Sequence, residues 1–138
     1  GKDRLAFAPD TPGYGSSDGP PRQVEIADFA AAFVRLLDEL NLTKRFAAIV
    51  GQDTIKIAKP NPAVLHHAIK ATGKNSSRAI MVGDSKTDID TARAAGIPVI
   101  AVDFGYTDTP VSMLAPDIVI SHFEELPAAV SKLIKARG

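Results

Sequence analysis

The feature that most constrains this chain is a strict alternation. Short apolar runs of strand length are each followed by a segment with helical spacing. The runs are residues 5–8, 46–51, 79–82, 99–102 and 117–120. Between and after them, apolar residues recur every three or four positions. Ile26, Phe29, Phe33, Leu36, Leu37 and Leu40 form one such stripe, Ile89, Ala92 and Ala95 a second, and Leu126, Ala129, Val130, Leu133 and Ile134 a third. A further helix is predicted from Ala63 to Thr72, with Asn61 as its N-cap, Pro62 in its first turn and Gly73 as its stop. The strand-length runs are apolar throughout rather than at every second residue, which is the pattern of a parallel sheet covered on both faces. Right-handed crossovers then leave few topologies. The most economical is a single three-layer α/β domain over residues 1–138, with an open five-stranded parallel sheet of order 2-1-3-4-5. Its ligand crevice lies at the carboxyl ends of strands 1 and 3.

Composition narrows the partners. Sixteen basic and sixteen acidic residues among 138 give a formal net charge of zero. Nucleic acid and anionic membranes usually attract a basic excess, so neither is expected as a partner. The chain has no cysteine, which removes disulfides, thiol nucleophiles and thiolate metal sites. No apolar stretch approaches the roughly 20 residues of a membrane span. The opening Gly1-Lys2-Asp3-Arg4 lacks an initiator Met and a signal-peptide pattern, so a trimmed or recombinant cytoplasmic chain is expected. The glycines at 13, 15 and 19 read as a flexible loop, because a phosphate cradle would want a lysine that this stretch lacks.

Two carboxylates stand out. Asp84 and Asp88 lie four residues apart at the predicted start of a helix, so both are expected to face the crevice. An exposed like-charged pair of this spacing costs about 0.2–0.5 kcal/mol. A helix N-terminus offsets part of that cost, and a hard divalent cation such as Mg2+ offsets more. Asp10 is a possible third carboxylate across the crevice. Ser85 and the amides after Asp84 suit a phosphate at the helix end. The plainer alternative makes Asp84 a helix cap and Asp88 a solvated side chain. His66 and His67 are adjacent and lack metal-ligand spacing. Asp53, Asp90, Asp103 and Asp108 read as loop or helix-surface carboxylates.

From about Leu40 to Ile134 the sequence resembles haloacid dehalogenase-like phosphatases, most closely their phosphoglycolate phosphatase branch. The resemblance rests on residues 46–53, Lys59-Pro60-Asn61-Pro62, residues 81–88 (Met-Val-Gly-Asp-Ser-Lys-Thr-Asp), residues 92–98, Gly105-Tyr106 and residues 121–127. It implies a haloacid dehalogenase-like core, related in order to flavodoxin-like and Rossmann-like folds. It also implies Mg2+ at Asp84 and Asp88, and Lys59 as the cation that neutralises a phosphorylated aspartate. Residues 4–18 and the helix after them are similar instead to the segment that precedes the nucleophile elbow in α/β-hydrolases. Together the two resemblances imply a composite, 1–41 hydrolase-like and 42–138 phosphatase-like, joined between Asn41 and Val50 and expected to be an engineered recombination. An aspartate elbow at Gly51-Gln52-Asp53-Thr54-Ile55 is disfavoured, because Ile55 occupies the position of the closing glycine.

The phosphatase family uses two aspartates at the end of its first strand, a nucleophile and, two residues on, a general acid. Here Ala8-Pro9-Asp10-Thr11-Pro12 supplies one. General acid catalysis is worth about 10²–10⁴-fold, so efficient turnover is not expected. The leading expectation is thus a non-catalytic composite that retains weak Mg2+ and phosphate binding. The alternative is a Mg2+-dependent phosphomonoester hydrolase with Asp10 as nucleophile and Lys59 as phosphate ligand. A receiver-like phosphoacceptor is the second alternative. Phosphate or a small phosphomonoester is the expected ligand, and oligomeric state is left open.

Overall fold

In the computed structural model of the protein, residues 26–50, 55–105 and 107–137 are described. They fall into two compact units, divided between Phe46 and Ala47.

In the first unit, helix α1 spans Ile26–Glu39. Its ending is set by Asn41, which takes a positive φ of 55°. Asparagine tolerates this left-handed geometry better than most residues. The turn brings the Leu42 amide to the Leu37 carbonyl at 2.8 Å and the Asn41 amide to the Asp38 carbonyl at 2.9 Å. These two bonds form a Schellman motif and satisfy carbonyls that a helix end otherwise leaves bare. Leu37 is buried, whereas Phe33 stays about half exposed, so the stripe read from the sequence is only partly covered.

The second unit is a three-layer α/β core. Strands β1 (Met81–Gly83), β2 (Val99–Val102) and β3 (Ile118–Ile120) form a parallel sheet in the order β1-β2-β3. Met81 pairs with Val99, and Ile100 with Ile118. All four residues of β2 are buried, as expected for a central parallel strand. Successive side chains of a strand point to opposite faces, and the core divides accordingly. Val99 and Ala101 pack with Val111 and with Ile89 and Ala92 of helix α3 (Lys86–Ala94). Ile100 and Val102 pack with Ile120 and with Ala129 of helix α4 (Leu126–Arg137). Helix α2 (Ala63–Ala71) adds Leu65 to the α3 side.

Helix boundaries follow the local signals. Pro62 takes the N-cap position of α2, and Asn61, expected there, lies one residue earlier, where its Oδ1 accepts the Ala63 amide at 2.9 Å. Gly96, with φ of 66°, ends α3 with a second Schellman pair, Ile97 to Ala92 at 2.9 Å and Gly96 to Arg93 at 3.1 Å.

Two of the five expected strands need comment. The run at 5–8 lies outside the described residues. The run at 46–51 is a correction: residues 46–50 are not a strand, and Phe46 and Ile49 are nearly half exposed. An apolar run becomes a strand only where its amides and carbonyls meet a neighbouring strand, and no described strand pairs with it. The remaining three strands keep the expected adjacency. No helix among the described residues is long and apolar enough to cross a membrane.

Candidate active site

Strand β1 ends at Gly83, and the chain passes through Asp84 and Ser85 into α3. Ser85 is the N-cap of α3. Its hydroxyl accepts the Asp88 amide at 3.3 Å and donates to Asp88 Oδ2 at 2.8 Å. This Ser-x-x-Asp pairing is a variant of the capping box. It corrects the plainer sequence reading on both counts, because Ser85 rather than Asp84 is the cap, and Asp88 is only 5% exposed. It also uses the Ser85 hydroxyl that was expected to meet a phosphate.

A buried carboxylate must be paired and hydrogen-bonded, and Asp88 is both. Oδ1 accepts from the Lys59 ammonium at 2.6 Å. Oδ2 accepts from Ser85 and from the Asp84 amide at 3.3 Å. Lys59 sits on the loop before α2, after which the Lys59–Pro60 peptide is cis, and its side chain is 43% exposed. Asp88 thus ties three things together: the first turn of α3, the Asp84 backbone and a lysine that keeps one side open to solvent.

Burial pushes the Asp88 carboxyl upward. The hydrogen bonds from Lys59 and Ser85, the Lys59 charge and the Asp84 amide together outweigh it and hold the group below the ordinary value of 3.8. With the folded value depressed, the unfolded chain binds the extra proton first. Asp88 therefore contributes stability that is complete above the ordinary carboxylate range and is lost as pH falls through the folded value. Urea unfolding followed from pH 7 down to pH 3 is expected to show this acid-side loss, and an Asp88→Asn variant a shallower dependence.

Glycines make room for both acids. A Cβ on Gly83 would overlap the Asp88 side chain, and one on Gly105 would overlap that of Asp84. The two carboxylates therefore stand over the carboxyl ends of β1 and β2, close against backbone. These two glycines shape the surroundings of the two acids, a role that residue-type reasoning passes over. The signal available was Gly83 directly before an acid at a strand end, and Gly105 just after the next strand.

The other candidates are dispersed. Asp10, Asp53 and Tyr106 lie outside the described residues. Asp90 pairs with Lys86 and, at 3.5 Å, with Arg93 on the surface of α3. Asp108 is exposed, as is His66, while His67 is half-buried. Asp103 accepts from the Ser121 hydroxyl at 2.5 Å. Among the described residues no three His, Cys, Asp or Glu side chains gather to hold a metal.

The donor chemistry nevertheless fits Mg2+, which takes oxygen ligands and is commonly held by one or two carboxylates. Asp84, standing against Gly105, and Asp88 are the carboxylates that would supply such ligands. Both oxygens of Asp88 accept hydrogen bonds, from Lys59, Ser85 and the Asp84 amide.

The parallel sheet and the acidic turn with its lysine at the strand ends define a class, and the comparisons agree. Residues 30–102 match the haloacid dehalogenase-like hydrolase family, and the chain belongs to it. It is similar to a phosphoglycolate phosphatase of Mesorhizobium japonicum, 52% identical over 111 residues, covering 80% of this chain and 49% of that one. A phosphoglycolate phosphatase of Agrobacterium fabrum is 47% identical over 105 residues, covering 76% and 45%. Among solved structures, a predicted phosphoglycolate phosphatase from Haemophilus somnus superimposes with a TM-score of 0.62 at 25% identity, covering 69% of this chain and 43% of that one. The chain spans about half the length of the curated relatives it matches.

These matches give the composite no support. The family match begins at Ala30, inside α1, and a 111-residue alignment is longer than residues 42–138. The helix expected to be hydrolase-like therefore groups with the phosphatases, and the junction near Asn41 finds no support. The hydrolase resemblance of residues 4–18 lies outside the described residues, and none of these matches carries an α/β-hydrolase part.

Proposed function

We propose that this protein is a Mg2+-dependent phosphomonoesterase of the haloacid dehalogenase-like family, acting on small phosphate monoesters of which phosphoglycolate is the type. The observation that carries the reading is the Lys59–Asp88 pair, held at 2.6 Å beside Asp84 at the carboxyl end of the sheet. It supports the catalytic reading over the non-catalytic composite, and the names of the most similar relatives point the same way.

In this reading Lys59 keeps its ammonium toward the crevice because Asp88 holds one side of it, and its charge offsets that of phosphoryl oxygens. Asp84, with Asp88 behind it and Asp10 as a further candidate, would hold Mg2+. When bound, the ion screens the charge on the phosphoryl group. Asp10 is the candidate nucleophile, displacing the alcohol from phosphorus. Pro12 stands at the general-acid position, so the leaving alcohol takes its proton from water. The acyl phosphate is then hydrolysed by a second water to return the carboxylate and release phosphate. Without an acid the expected turnover is slow.

The test is hydrolysis of phosphoglycolate and of an aryl phosphate, with Mg2+ and with EDTA. Mg2+-dependent release of phosphate that disappears in Asp84→Asn and Asp10→Asn is expected. A cooperatively folded protein with no activity above buffer would return the chain to a binding role.

A further inference from the structure

The turn that carries Gly105 is held at successive residues to a second turn. Strand β2 runs out into Asp103-Phe104-Gly105, and β3 into Ser121-His122-Phe123. The Asp103 amide donates to the Ile120 carbonyl at 3.2 Å, continuing the sheet contact. The Asp103 carboxylate accepts the Ser121 hydroxyl at 2.5 Å. One residue further, the Phe104 and Phe123 rings meet edge to face, with centroids 5.0 Å apart and planes at 71°. The second turn is itself anchored. The Ser121 amide donates to Glu125 Oε1 at 3.0 Å, and the Glu124 amide to His122 Nδ1 at 3.4 Å, immediately before α4.

The next residue, Gly105, packs directly against the Asp84 side chain. Two side-chain contacts on consecutive residues therefore adjoin the backbone that stands behind Asp84. The aromatic pair is not core: Phe104 is 46% and Phe123 60% exposed. Burying so little apolar surface, it contributes mainly the geometry of the turn.

We propose that this double clasp, Asp103 on Ser121 and Phe104 on Phe123, sets the Asp84 carboxylate for binding a divalent cation, so that Asp103, Ser121 and Phe123 are positioning residues. The role in cation binding rests on the phosphatase reading, while the positioning of Asp84 does not. Loss of one surface hydrogen bond or one aromatic edge contact is a modest perturbation. The expected effect is a weakening of Mg2+ binding by about three- to tenfold.

Two readouts test this by NMR on the whole chain. In metal-free protein the Asp84 carboxyl carbon and the Gly105 amide are expected to shift in Ser121→Ala and in Phe123→Ala, with the Ile89 and Val99 amides unmoved. Ser121→Thr, which keeps the hydroxyl, and Asp103→Asn, which keeps an acceptor, are expected to restore wild-type shifts. In a Mg2+ titration the same two alanine variants should reach half-saturation at the higher concentration stated above.

An unmoved Asp84 carboxyl carbon in both alanine variants would overturn the clasp, whatever Mg2+ does. Unchanged Mg2+ midpoints, in a protein that binds the ion, would overturn its role in cation binding. A wild type that ignores Mg2+ while its variants still move Asp84 would uphold the positioning and sink the phosphatase reading.

Discussion

Lys59→Ala is expected to lower kcat/KM for phosphate monoesters by about 10²–10³-fold, the loss typical when one preorganised partner of a developing oxyanion is removed. The fold itself should survive. Asp88 keeps its bonds from Ser85 and from the Asp84 amide, and the space vacated by a half-exposed lysine admits water to Oδ1. The expected destabilisation is about 1 kcal/mol, well short of the loss for a pair sealed from solvent. Steady-state kinetics and a urea melt on the same preparation separate the two effects. Lys59→Arg retains the charge but not the compact ammonium, and is expected to recover only part of the activity. An unchanged rate in Lys59→Ala would make this lysine a structural partner of Asp88 and nothing more.

Ile89→Ala is expected to cost about 2–5 kcal/mol, the range for truncating a fully buried aliphatic side chain. Ile89 has no exposed surface and fills the centre of the cluster formed by Ala92, Val99, Ala101 and Val111. Its neighbours are borne by a sheet and a helix that cannot both close in, so a cavity remains. A urea denaturation midpoint that falls with an unchanged slope would show the loss as one of stability. Ile89 directly follows Asp88 on α3, so core and site share a helix turn. Activity per folded molecule should nonetheless stay near wild type at low temperature, which distinguishes this variant from Lys59→Ala.

Much of the fold was legible because its signals are local or periodic. The continuous apolar runs at 99–102 and 117–120, Asn61 before α2 and Gly96 after α3 each act on their own neighbourhood. Residues 46–50 misled for the opposite reason: their apolar character is local, whereas strand pairing is a property of a partner. The composite reading finds no support at α1, whose amphipathic stripe fits many α/β folds, so its spacing alone was no guide to its family.

At the site, Lys59, Asp84 and Asp88 were recognisable from their motifs, and the structure brings Lys59 onto Asp88 across 29 residues of chain. Their division of labour was not recognisable. Spacing placed two equivalent carboxylates on one crevice. The three-dimensional arrangement gives Asp88 to the lysine and the helix cap, because Ser85 as N-cap bonds the third helical residue, Asp88, through both its amide and its carboxylate. Gly83 and Gly105 stood in the motifs, but their packing against the two acids was not legible, since what matters about them is an atom they lack.

The shared use of Asp88 has a consequence for how this sequence can change. A capping residue is ordinarily a convenient place to improve a helix, and exchanging Asp for Glu at the third helical position is a common stabilising move. Here that exchange would carry the carboxylate one methylene further and displace the lysine it holds. Helix propensity and lysine placement are thus set by one side chain, and neither can be tuned by itself. Drift at position 88 is accordingly confined, although the capping rule by itself would permit several residues there.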